Sequence, residues 1–425
     1  MSDGIKVRMI YSACVMIETA NCSILCDPWF TDGIYDGSWY LFPVAENPIE
    51  VIGDCDFIFI SHIHPDHYDP IFIKSYFERY GSKPLLVANR QSNSLAKKAI
   101  IDGFEVRVLE DDLQISTTLI SVIPHETGSQ SGIDSVLIVE HIDDEHVSRV
   151  VNINDCIVDQ QLLDQISMYG PIDILLLGFT GAGPYPQTYF GLDDPRLLIA
   201  GEKKKADFFQ RYLNTTTVLQ SRVNIPFAGQ YVLGGKLTKL NQFRGVADAI
   251  EVLLIDPNAI VLDDYLGSID TKTMVANHPR TKPYSPLSVE NRLKEIASKS
   301  MVYESLINEI DANISIEEAL EKSLMRARNR SECRTDYFFV FNFGMGPRWI
   351  INANSNSLDG PRIVEEFETL TEPRSEISID ERYFRGLLSR RFHWNNAEVG
   401  SQYFTKRTPD VFDRQAMNFL NFLHV

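Results

Sequence analysis

Up to about residue 180, short blocks rich in Val, Ile and Leu recur with turn-forming residues between them. KVRMIYSACVMIET, SILC, DFIFIS, KPLLVA, FEVRVLE, TLISVIP, SVLIVE, RVVNI and DILLLGF have the length and side-chain character of strands. Longer amphipathic segments intervene: DPIFIKSYFERYG, NSLAKKAIIDG, VDQQLLDQISMYG and EKKKADFFQRYLN. The mixture predicts sheets covered by helices, an α/β or α+β layered architecture. NHPRTKPYSPLS, 277–288, holds three prolines and is the best linker, which divides the chain into 1–276 and 289–425. Beyond it, SVENRLKEIASKSMVYESLINEID and SIEEALEKSLMRARNR are expected as two charged helices. DYFFVFNFGM and RWIINANS follow as strands, DERYFRGLLSRR as a helix, and the chain closes on RQAMNFLNFLHV, an α+β unit without an assigned role. No repeat or low-complexity tract interrupts the pattern.

Composition narrows the class. The 425 residues are 44% hydrophobic and 23% charged, as in soluble globular proteins. No apolar run reaches the ~18 residues of a spanning helix, and MSDGIKVRMIYSAC lacks the form of a secretory signal. The six cysteines show no C-x-x-C spacing, so reduced, buried thiols in a cytoplasmic protein are expected. A net charge of −18 argues against general binding to nucleic acid or anionic membranes. An anionic substrate would need a local basic pocket within that field.

Candidate chemistry concentrates in SHIHPDHYDP, 61–70, where three histidines and two aspartates follow the apolar run FIFI. His62 and His64 are two apart, so on an extended strand end they point the same way and can share a metal. Asp66 and His67 follow as the chain turns and can face a second metal. A satisfied surface histidine explains any one of these; four ligand types at this spacing favour a metal site. His125, in VIPHETGS, and Asp155, in VVNINDC, also end apolar runs and join the candidate ligands. Asp27, in CDPWF, is read either as an Asp-Pro turn or as the acceptor that holds a ligating imidazole.

This series resembles the successive ligand motifs of the metallo-β-lactamase fold over roughly residues 5–275. The resemblance implies a four-layer αββα sandwich with a one- or two-metal site at the edge of its two sheets. Within that superfamily the chain is most similar to the non-Rieske portion of CMP-N-acetylneuraminate hydroxylases. The matching segments are SACVMIE, CDPWF, ISHIHPDHYD, NINDC, GFTGAGPYP and IPFAGQYVL, and beyond the linker HWNNAEVGSQYFTKRTPDVFDRQAMNFLNF. There are two departures. No cysteine here sits in a Rieske-type Cys-x-His or Cys-x-x-His context, so electrons would have to come from a separate donor. NIPFAGQYVLGG lacks the further histidine of a two-metal hydrolase, leaving the second site to Asp66, His67 and a bridging Asp155, with His278 or Gln230 as possible additions.

On this inventory His62, His64 and His125 hold the first metal with Asp155 shared, and Asp66 holds a second metal or acts as the base. Such a metal lowers the pKa of bound water toward about 7. Three imidazoles suit zinc; mixed sites with vacancies suit iron or manganese. The leading expectation is a metal-dependent hydrolase of a small phosphate-, ester- or amide-containing molecule or sugar nucleotide. The alternative is a non-heme iron oxygenase on a sugar nucleotide, fed by an external electron donor. A scaffold without chemistry is disfavoured by the full ligand set.

Weaker candidates remain. The aromatic stretch 29–48, with Trp29, reads as a substrate lid or a packed edge. GFTGAGPYPQTYF, with Tyr185, reads as a backbone approach to ligand or a tight turn. Lys203, Lys204 and Lys205 suit a solvated helix face better than a phosphate site. The segment 390–404, with His393, Trp394 and two asparagines, reaches the metal cleft or packs the two parts together. His141 and His146 are expected at an exposed hairpin tip and carry no role.

Overall fold

The computed structural model describes residues 4–125, 133–143, 146–305, 315–365 and 368–425. Two mixed sheets face each other. The first has eight strands, ordered Ala276–Asn277, Ser268–Asp270, Lys6–Tyr11, Cys14–Glu18, Ser23–Cys26, Phe57–Phe59, Leu85–Ala88, Val106–Leu109. Its last four strands run parallel, so Cys26 and Phe59 deliver the chain to the same edge. The second has six, ordered Val223–Phe227, Ile174–Gly178, His146–Asn154, Ser135–Asp143, Thr118–Pro124, Leu113–Ile115.

Alternation along each strand builds the layers, because successive side chains point to opposite faces. Val15, Ile17 and Ile24 meet Ile120, Leu137, Val150, Ile174 and Leu176 between the sheets. Their neighbours Met16, Leu25 and Ile58 turn outward onto Phe72, Ile73, Leu95 and Ala99 of helices Pro70–Tyr80 and Ser94–Ile101. On the far side, Leu175 and Leu177 pack on Leu162, Ile166 and Tyr212 of helices Gln160–Ser167 and Arg196–Leu219. This is the αββα sandwich expected from the sequence.

Beyond it, strands Arg362–Val364, Arg348–Asn352, Phe338–Asn342, Arg374–Ser378 and Phe404–Thr408 form a separate sheet in that order. Helices Ile316–Ser331, Glu381–Leu388 and Arg414–Leu420 cover it. Its core is continuous with the sandwich: Tyr11, Trp29, Tyr35, Trp39 and Tyr231 belong to the same buried cluster as Phe341, Phe384 and Trp394. The aromatic stretch 29–48 is therefore the seam between the two parts.

Several expectations change in three dimensions. The first of the two charged helices is broken, with Pro286–Ile296 followed by the short turn Val302–Ser305. Between them the chain is pinned against two glycines: a β-carbon on Gly37 would lie 3.0 Å from the Met301 backbone, and one on Gly235 would lie 2.6 Å from the Lys299 carbonyl oxygen. His141 is buried against Thr118, 3.1 Å from its hydroxyl, while His146 is exposed. Lys203 and Lys205 pair with Asp207 and Glu251, but Lys204 is buried and donates to the Tyr185 and Arg244 carbonyls at 2.8 and 3.0 Å. All six cysteines are buried and unpaired. No helix of the described residues is long and apolar enough to cross a membrane.

Candidate metal centre

The site grows from strand ends that share one edge. Strand Phe57–Phe59 runs into Ser61 and His62, and the parallel strand Ser23–Cys26 ends one residue before Asp27. On the second sheet, the pairings Ser135↔Pro124 and Leu137↔Asn152 bring Asp134, His125 and Asp155 to the same end. A turn in which the N–H groups of His67 and Tyr68 both donate to the His64 carbonyl swings Asp66 and His67 back toward His62.

Asp27 locks this turn from below. It is fully buried, and its carboxylate accepts from the Ser61 N–H at 2.8 Å, from Asn154 Nδ2 at 2.5 Å and from His67 Nδ1 at 3.1 Å. Both Asp27 and Asn154 have left-handed backbone, with φ of 42° and 59°, conformations that short polar side chains tolerate best. With Nδ1 held by Asp27, His67 presents Nε2 to the carboxylates of Asp66 and Asp155, each at 3.4 Å. Such a carboxylate behind an imidazole is the usual support of a metal ligand.

His62, His67 and Asp155 each offer a ligand atom within 4.8 Å of the others. His62 Nε2 lies 2.8 Å from His64 Nδ1, which sets His64 beside this group. On its other nitrogen His62 meets Ser61 Oγ at 2.9 Å and Asp134 Oδ1 at 3.3 Å. Tyr35 donates to Asp66 Oδ1 at 2.5 Å, and Asn395 Nδ2 is 3.0 Å from His64 Nε2. Neither Asp134, Tyr35 nor Asn395 is identifiable as a site residue in the sequence; only the two asparagines of segment 390–404 hint at it.

Electrostatics separates the imidazoles. Burial, then the neighbouring His67 and His64, pushes His62 well below the usual histidine range. Burial also lowers His64. His67 goes the other way: burial opposes its charge, but Asp66, Asp155 and Asp27 surround it and raise its pKa well above the usual value. Burial works to raise Asp66, yet His67, His64 and the Tyr35 hydroxyl hold it below the ordinary carboxylate range. Asp134 is pushed up to about 7 by burial and by Asp155. Four carboxylates thus converge on three imidazoles, and the site favours a positive charge at His67 Nε2. A divalent cation fits that place in exchange for the proton, and the donor set suits zinc, iron or manganese.

Other expected residues sit elsewhere. His125 ends its strand as anticipated, but its Nε2 bonds the Ile157 carbonyl at 2.8 Å and it stands outside the three-residue group. Its main-chain carbonyl and that of Asp134 receive the Arg90 guanidinium. His278 is exposed, with left-handed backbone, and its carbonyl accepts from the Asp263 N–H. Gln230 uses its carbonyl for the Tyr11 hydroxyl. Trp29 is buried in the seam, its indole N–H on the Thr31 carbonyl. Tyr185 packs on Tyr189 and Phe190. His393 precedes the helix Trp394–Val399 that carries Asn395.

A cavity of about 390 Å³ opens beside the centre, with Asp66 and Asp155 in its wall. It runs between strand Ile174–Gly178 and helix Arg196–Leu219, past Leu177, Phe208, Arg211 and Tyr212. Gly178, Gly181 and Ala182 of the GFTGAGPYP stretch line it too. At Gly181 the absence of a side chain serves packing: a β-carbon there would lie 2.2 Å from the Phe208 ring.

Residues 6–190 match a family model described as beta-lactamase superfamily domain. Centres of one or two metal ions are a property of that superfamily. Among curated relatives, a Mycolicibacterium smegmatis protein named for a Rieske 2Fe-2S centre is 29% identical over 195 residues, which are 43% of this chain and 36% of that one. The cytidine monophosphate-N-acetylneuraminic acid hydroxylase of Danio rerio is 23% identical over 243 residues, 53% of this chain and 38% of the relative. The chain thus spans well under half the length of either. Among solved structures, an isothiocyanate hydrolase from Delia radicum gut bacteria is 17% identical, covering 61% of this chain and 97% of that one with a TM-score of 0.44.

Proposed function

We propose that this protein is a metal-dependent hydrolase of the beta-lactamase superfamily, acting on a small molecule held in the cavity beside the His62–His67–Asp155 centre. One observation carries the reading: Asp66 and Asp155, which meet the buried imidazoles, also line that cavity. His62, His67 and Asp155 would hold the ion, with His64 and Asp66 beside them. A divalent ion bound there lowers the pKa of a coordinated water toward about 7.

The chain's own residues supply the rest. Asp66, fixed through one oxygen by the Tyr35 hydroxyl, would receive the proton of the attacking water. The water oxygen forms the new bond to the ester, amide or phosphate centre, and the leaving group departs with the proton that Asp66 gathered. Tyr35 stays a donor throughout, because burial and Asp66 raise its pKa well above the usual value.

A second reading has its own support. Two imidazoles with one carboxylate is the ligand set of non-heme iron oxygenases, and the Danio rerio relative is named a hydroxylase. This reading needs electrons from a separate donor protein. The test is turnover with and without oxygen against a panel of phosphodiesters, esters and amides, after elemental analysis of protein purified without added metal. Hydrolysis indifferent to oxygen supports the hydrolase; an iron protein that turns over only with oxygen and a reductant overturns it.

A further inference from the structure

The lining of the cavity beside the centre brings together different chemistries. Asp66 and Asp155 belong to it and to the centre. Ile153, Ile157, Leu163 and Leu177 add apolar surface, and Thr180 and Asn214 add polar groups. Helix Arg196–Leu219 adds Phe208, Arg211, Tyr212 and Thr215 to the lining, the i, i+3, i+4, i+7 spacing of one helix face, with Arg211 exposed. Arg211 is the only cation among the lining residues, and among the described residues it has no carboxylate partner. Its guanidinium instead lies 5.0 Å from the centre of the Phe208 ring.

In a chain of net charge −18, Arg211 sets a cation on the wall of this pocket. Leu163, Leu177 and Phe208 beside it offer surface that suits an aliphatic or aromatic body. The volume is that of a small-molecule pocket, at the lower part of the usual range of about 300–1,000 Å³.

We propose that the cavity takes an amphipathic anion: an apolar body between Leu177, Leu163 and Phe208, with a carboxylate or phosphate on Arg211 and the reacting group toward Asp66 and Asp155. This deepens the hydrolase reading and rests on it for the identity of the reacting end. Arg211 is a specificity residue, remote from the bond that changes.

The test is calorimetric titration with phenylbutyrate, using phenylbutanol as the neutral control and inorganic phosphate as the head without a body. It is run on metal-loaded and on chelator-treated protein. Phenylbutyrate is expected to bind both forms, more tightly than phenylbutanol or phosphate. Arg211→Gln should weaken it at least about ten-fold, as loss of a charged hydrogen bond does, and leave phenylbutanol unchanged. Lys203→Gln, on the same helix but paired with Asp207 outside the cavity, should have no effect. Unchanged affinity in Arg211→Gln, or no binding of phenylbutyrate, overturns the proposal. So does binding that needs the metal and ignores Arg211, an outcome that leaves the metal centre standing. A chain that takes up no metal, yet loses phenylbutyrate in Arg211→Gln, sinks the hydrolase reading and keeps the anion pocket.

Discussion

Asn395 and His64 are 331 residues apart in sequence, yet the amide of one lies 3.0 Å from Nε2 of the other. Because His64 directs Nδ1 at His62, its Nε2 is the nitrogen left for outside support. The C-terminal part of the chain therefore reaches into the centre and fixes one imidazole. Asn395→Ala should lower metal affinity by roughly 10–100-fold, the usual effect of removing a partner behind a ligand. Asn395 is only partly buried, so thermal stability should change little. Chelator competition on the folded variant measures the first, and a melting curve the second.

The same part of the chain controls Asp66 through Tyr35. Tyr35 and Asp36 hold left-handed backbone, with φ of 53° and 61°, an arrangement that needs outside support. Gln402 donates to the Tyr35 carbonyl at 2.8 Å, and Tyr383 donates to the Asp36 carboxylate at 2.6 Å. Tyr35→Phe keeps the buried ring and removes only the hydroxyl at Asp66. It should lower kcat about ten-fold or more with KM nearly unchanged, since the base is freed to turn while the cavity wall is untouched. Steady-state kinetics on any accepted substrate reads this.

How much of this was legible in the sequence follows from where the contacts arise. The H-x-H-x-D-H run and the strand-end positions of Asp27 and Asp155 show in local pattern, because a strand-terminal spacing fixes direction. Asp134 does not, since its approach to His62 depends on the two sheets meeting at one edge, where the Ser135 hydroxyl donates to the Ser61 carbonyl. Tyr35 and Asn395 depend on a seam between distant segments, which no local period encodes. His125 has the right position and the wrong bond: the Ile157 carbonyl, 32 residues on, captures its Nε2. Lys204 was masked by its neighbours, because a helix turns 100° per residue and sends the middle of three lysines inward.

Asp36 gives a pH test of the seam. Burial raises its carboxyl to about 6 from 3.8, although the Tyr383 hydroxyl works to lower it. The folded state then holds a proton that the unfolded chain releases earlier. Its contribution to stability is whole below about pH 4 and is lost as pH rises through about 6. Relative to Asp36→Asn, the wild type should lose stability across that window and run parallel above it. Denaturant melts at a series of pH values measure the difference; a constant difference would refute the assignment.

Asp27 offers a sharper perturbation. Its carboxylate receives His67, Asn154 and the Ser61 N–H together. Asp27→Asn keeps the volume but removes the charge and adds a donor facing donors. Stability should fall by about 2–4 kcal/mol, as for a broken buried network, and metal affinity should fall with it.

Both functional readings require His62, His67 and Asp155 to share one cation. The direct measurement is metal content after equilibrium dialysis against zinc, iron(II) or manganese, for the wild type beside folded His67→Asn and Asp155→Asn variants. At least about one equivalent in the wild type, with a marked loss in both variants, is the predicted result. Equal metal content in all three proteins would contradict it.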